Sequence, residues 1–93
     1  MIERLEFQVQ PGLEERFLAA DEEVWGAWLR QQRGFISRQV VQYRHAGRIA
    51  ILNFWTDKSS IERAAKKPHK RVLDAILQAK LGPTFRMTSS QLM

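Results

Sequence analysis

Cysteine is absent from this 93-residue sequence, which excludes disulfides and thiolate metal sites. Histidine is nearly absent: His45 and His69 stand far apart, without metal-ligand spacing. No glycine-rich phosphate loop occurs among the five glycines. No cofactor and no metal are therefore expected. No apolar run approaches the roughly twenty residues that cross a bilayer. The opening "MIERLEFQVQ" alternates charged and apolar residues, unlike the apolar core of a signal peptide. A cysteine-free chain of this kind fits a reducing compartment. A soluble cytoplasmic protein with no membrane partner is expected.

What is present describes an ordinary globular chain, 44% hydrophobic and 27% charged. Its length suits one domain over residues 1–93, with a single core. The net charge of +5 is unevenly distributed. Residues 1–25 hold seven acids against Arg4 and Arg16, and the remainder holds thirteen bases against Asp57, Glu62 and Asp74. Such polarity is either a solvated face or an attraction for an anionic partner.

Periodicity places the elements. Ile2–Gln10 alternates, with Leu5, Phe7 and Val9 on one face, and predicts a strand. After Pro11-Gly12, residues Leu13, Phe17, Ala20, Val24 and Trp28 follow helical spacing, with Gly34 placed to close the helix. Phe35–Arg44 and Arg48–Thr56 read as strands joined by the short "HAG" turn. Ser59-x-x-Glu62 has capping-box spacing and starts a short helix. Pro68 suits the first turn of another, which Gly82-Pro83 stops before a last strand over Thr84–Leu92.

The order β-α-β-β-α-β predicts an α+β fold, a ferredoxin-like plait with a four-stranded antiparallel sheet. Strand three is the informative one. Ile49, Ile51 and Trp55 point one way, while Ala50, Leu52 and Phe54 point the other. A strand apolar on both faces is usually covered on both. Helices cover only one, so a second copy of the sheet is expected on the other, as a homodimer.

These residues resemble the antibiotic-biosynthesis-monooxygenase-like proteins. "RGF" opening strand two, "FW" closing strand three and "KPH" entering the last helix carry the likeness. "EEVWGAWL" and "FRMTSSQLM" are similar to a small, uncharacterised, largely cyanobacterial subgroup. The resemblance implies a dimeric α+β barrel. Among such proteins some are cofactor-free monooxygenases, in which a deprotonated aromatic substrate itself reduces oxygen in an apolar pocket. Others degrade haem, with an Asn on strand one, a Trp after strand three and a His in the last helix. Here Leu5, Ala64 and Asp74 occupy about those places, so haem degradation is not expected.

The residues that bear on a site are few. Asn53 is the lone amide in a doubly apolar strand, so it bonds backbone, water or a ligand. Trp55 shares its face and reads chiefly as packing, with an indole N–H to satisfy. Trp25 and Trp28, three apart on one helix, cannot both point down at the sheet. Arg38 and Tyr43 are the polar groups on strand two. Asn53, Trp55, Trp28, Trp25, Tyr43 and Arg38 are the ligand-pocket candidates, and His69 is the one candidate base. RNA-binding domains share this strand order, but "RIAILNFWT" lacks their glycine-and-aromatic signature, so no nucleic acid is expected. The sequence thus points to a homodimer binding a small apolar or aromatic molecule, with monooxygenase chemistry as its enzymatic form. The alternative is a non-catalytic structural or protein-interaction module on the same barrel.

Overall fold

In the computed structural model, which describes residues 1–93, the alternating segments become four strands. They are β1 (Ile2–Val9), β2 (Phe35–Gln42), β3 (Arg48–Trp55) and β4 (Phe85–Leu92), in the sheet order β2-β3-β1-β4. Every neighbouring pair is antiparallel. The plait expected from the sequence is the fold observed. Register puts Leu5 opposite Ile51 and Phe7 opposite Ile49, so one face of the two central strands is apolar.

Helices cover that face. α1 (Glu14–Asp21) runs into a π-helical turn (Glu22–Gly26) and then α2 (Ala27–Leu29). The helix therefore stops five residues before Gly34, which instead takes a φ of 89° at the entry to β2. α3 (Lys58–Ala65) and α4 (His69–Leu81) follow β3, and a 3-10 turn (Gly82–Thr84) leads into β4. α3 begins on Asp57 rather than Ser59: the Asp57 carboxylate accepts from the Ser60 N–H at 2.8 Å. An ionised acceptor two residues earlier simply outcompetes the Ser hydroxyl as N-cap.

Two apolar clusters result. Phe7, Val9, Phe17, Ala20, Val24, Ile49, Ile51, Leu77 and Leu81 form the main core, with the Phe17 ring in tilted contact with those of Phe7 and Phe85. Leu29, Trp55, Ile61 and Ala64 form the second, and Trp25 packs against both. Glu14 ties the ends together. It accepts from Gly12 and from Gly47, pinning the start of α1 to the β2–β3 hairpin. Hydrogen bonds from its own backbone N–H, then Gly12 and Gly47, hold its carboxyl below the usual range.

The opposite face of β3 carries Ala50, Leu52 and Phe54. Leu52 and Phe54 remain half-buried in the single chain. No helix is long and apolar enough to cross a membrane.

Candidate functional site

A bulge in β2 sets the geometry. Phe35 pairs with Trp55 and Ser37 with Phe54, so the register slips by one residue at Ile36. An extra residue inverts the alternation beyond it. Phe35 and Arg38, of opposite parity, consequently share the helix-covered face. Farther along, Arg38 sits opposite Asn53, and Asn53 opposite Glu3. Glu3, Asn53 and Arg38 thus form a polar row across three strands, beneath the helices and beside an apolar core.

Arg38 is held from above. One guanidinium nitrogen pairs with Asp21, the other donates to Glu22 at 3.1 Å, and Glu22 also pairs with Arg30. The side chains of Arg38 and Asp21 are 6% and 5% exposed. Burial pushes the Asp21 carboxyl above the ordinary carboxylate range, although the Arg38 charge pulls it down. The π-helical turn contributes Gly26 to this arrangement. A Cβ there would stand 2.5 Å from a Glu22 oxygen and 2.7 Å from an Arg38 nitrogen. Insertions of this kind recur at functional sites because they re-aim the residues around them.

Three buried polar atoms in the protein lack any partner: Arg38 Nε, Asn53 Oδ1 and Trp55 Nε1. All belong to the same sheet face. Asn53 and Trp55 are two residues apart on β3, about 7 Å along the strand, and Arg38 lies opposite Asn53. Asn53 is 1% exposed and Trp55 3%. The row's other polar ends are occupied, since Asn53 Nδ2 donates to Glu3 at 3.1 Å.

Aromatic side chains close the end near Trp55. Phe35 meets Trp55 edge-on at 5.2 Å, and Trp25 meets Trp28 edge-on at 5.8 Å. His69, exposed at the first residue of α4, lies 5.4 Å from the Trp28 ring and reaches none of the three atoms by a hydrogen bond. Lys67 donates to Gln32, and Gln32 to the Trp28 carbonyl, fixing the α3–α4 junction over α2.

Five of the seven residues singled out in the sequence, Arg38, Asn53, Trp55, Trp25 and Trp28, therefore lie between sheet and helices. Tyr43 lies on the other sheet face, where its hydroxyl bonds Arg4 and Glu6 and Arg48 covers its ring at 4.5 Å. Glu3 and Asp21 were not singled out, yet the sequence marks both. Glu3 has the parity of Leu5 and Phe7, and Asp21 stands four residues after Phe17 on the apolar helix stripe. An acid on an apolar stripe requires a partner.

Open clefts lie elsewhere. One of about 550 Å³ is lined by Lys67, Pro68, Lys70, Arg71 and Asp74. Exposed flexible side chains of that kind fix no ligand orientation, and the buried row is the better-built site. No three His, Asp or Glu side chains are grouped to hold a metal ion.

A family model described as antibiotic biosynthesis monooxygenase matches residues 1–73. The chain belongs to that family. The match spans β1 through the first residues of α4, and so contains the whole polar row. No curated protein matches the chain. Among solved structures, the fold of this family member is similar to SnoaB, a cofactor-independent oxygenase from Streptomyces nogalater. The TM-score is 0.68 at 18% identity, over 99% of this chain and 93% of that one. It is also similar to a monooxygenase from the gene ActVA-Orf6 of Streptomyces coelicolor, solved with nanaomycin D. There the TM-score is 0.73 at 14% identity, over 99% and 85% of the two chains. At these identities the likeness is one of fold.

Proposed function

We propose that this antibiotic biosynthesis monooxygenase family member binds a small aromatic molecule between its sheet and helices. Its chemistry on that reading is a cofactor-independent monooxygenation. One observation carries the reading: three unpartnered buried polar atoms share one sheet face next to aromatic walls. A buried polar atom left unpaired costs about 1–3 kcal/mol, and three together mark a place where a ligand or water completes the structure. Apolar walls with a few convergent polar atoms are the usual make-up of a small-molecule site. The descriptions of the two structural relatives, one a cofactor-independent oxygenase and one holding nanaomycin D, point the same way.

In the reaction, an activated C–H or an O–H of the aromatic substrate loses its proton and the resulting anion reduces dioxygen. One oxygen atom enters the substrate carbon, which becomes a carbonyl, and the other leaves as water. Binding in a site closed to water favours the electron transfer by replacing solvent with fixed dipoles. An anthrone bearing a ring hydroxyl is a suitable probe, read in an oxygen electrode. One dioxygen per anthrone is expected, with the rate at least tenfold lower in Asn53→Ala. Uptake no faster than in protein-free buffer would leave the non-catalytic module as the function. A second copy of the chain is the proposed partner on the uncovered sheet face, supported by the half-buried Leu52 and Phe54.

A further inference from the structure

The two ends of the Asn53 amide are treated differently. Its Nδ2 donates to Glu3 Oε1 at 3.1 Å, while its buried Oδ1 has no partner. An ionised carboxylate only accepts hydrogen bonds. Glu3 therefore holds the NH2 end to itself and turns the carbonyl away, into the site. A residue able to donate as well as accept would leave the amide free to rotate.

Beside Asn53 in the row, the Nε–H of Arg38 is also unpartnered, because Asp21 and Glu22 take both terminal nitrogens. The free acceptor and the free donor belong to directly paired residues, yet they do not satisfy each other. A group placed against both has to donate to Asn53 and accept from Arg38. A hydroxyl does both, whereas an ether, a ketone or an oxyanion only accepts. Charge does not favour an anion here either. Asp21 and Glu22 face Arg38 from the helical layer, Arg30 faces Glu22, and Glu3 closes the row from β1.

We infer that Glu3 is a positioning residue that fixes the polarity of Asn53, making the site selective for a ligand that brings a hydroxyl to Asn53 Oδ1. This rests on the reading of the polar row as a ligand site. The ligand class is an aromatic hydroxy compound bound in its protonated form, its hydroxyl donating to Asn53 Oδ1 and accepting from Arg38 Nε.

The test compares 1-naphthol with 1-methoxynaphthalene, both uncharged at neutral pH, by equilibrium dialysis. An ether leaves the Asn53 carbonyl unpaired, which corresponds to about tenfold or more in affinity. The wild type is expected to prefer 1-naphthol by at least that factor. Glu3→Gln, which donates or accepts, is expected to bring the ratio within about threefold. Glu3→Lys, which only donates, turns the amide over and is expected to reverse it. The methyl group's bulk is the same in every variant, so the change in ratio reports polarity alone. Should Glu3→Lys fail to fold, Glu3→Gln carries the test. Equal wild-type affinities would overturn the inference and leave the pocket standing. A preference unchanged in both variants would overturn it as well. Binding of neither probe would remove the pocket reading, and this inference with it.

Discussion

Asp21 and Arg38 show what one buried pair commits the chain to. Burial takes hydration from both charges, and each becomes tolerable only through the other. Arg38→Gln strands the carboxylate and is expected to cost about 3–5 kcal/mol near neutral pH. The sign of its pH dependence follows from the raised Asp21 carboxyl. The folded state holds that proton more tightly than the unfolded chain, so the group's contribution falls as pH climbs above the ordinary aspartate value. A protonated Asp21 needs no cation. The penalty of Arg38→Gln is therefore expected to shrink in acid, and the double variant Arg38→Gln/Asp21→Asn should recover most of the loss at every pH. Urea melts of the three proteins across pH measure this, and a penalty independent of pH would contradict the pairing. Trp55 and His69 make a complementary contrast. Trp55 is 3% exposed and its ring packs on Phe35. Trp55→Ala is expected to cost about 3–5 kcal/mol. His69 is exposed, and His69→Ala should change stability by no more than about 0.5 kcal/mol.

Elements carry effects that single contacts do not. The N-terminus of α3 hangs on Asp57, whose carboxyl is held low by the Ser60 hydroxyl, then the Ser60 N–H and Ser59. A depressed carboxylate stabilises the fold above its unfolded value, and the gain disappears as pH falls through the folded one. Asp57→Ala should therefore lower the melting temperature at neutral pH and flatten its decline in acid. A parallel decline in both proteins would remove Asp57 from the acid response. Strand and helix existence was legible because periods of two and 3.6 survive in the residues themselves: Leu5, Phe7 and Val9, or Phe17, Ala20 and Val24. The β2 bulge was not, since Phe35–Gln42 alternates no more clearly with the extra residue than without it. The slip nevertheless decides that Arg38 shares a face with Asn53. The π-helical turn was equally silent, because "EEVWG" satisfies an α-helical pattern. Asn53 and Trp55 were visible as odd residues in an apolar strand; their partners across the sheet were not, because register is a property of pairs.

At the scale of the molecule, the sheet has one covered face and one open. The open face is mixed. Leu52 and Phe54 are half-buried and Val41 is exposed, while Arg4, Glu6, Tyr43 and Arg48 form a bonded polar network beside them. A second copy related by a twofold axis would apply this same patch to itself, so each apolar residue meets an equivalent surface. The self-bonded network matters for that geometry. Glu6 pairs with both Arg4 and Arg48, and paired charges enter an interface at lower desolvation cost than free lysines would. The chain's charge of +5 opposes association only weakly at physiological salt, where charges are screened beyond about 8 Å. Sedimentation at micromolar concentration is therefore expected to give twice the 10.9 kDa chain mass. Leu52→Lys places a charge on each side of the interface. It points away from the helical core, because Leu52 pairs with Arg4 and Gln39 on the open face. A buried unpaired charge is costly, so this variant should sediment as a monomer while circular dichroism keeps its helical signal. A wild type that sediments as a monomer would mean that water alone covers this face. Leu52 lies between Ile51 and Asn53, so one strand would then serve as both the wall of the site and the outer surface of the molecule.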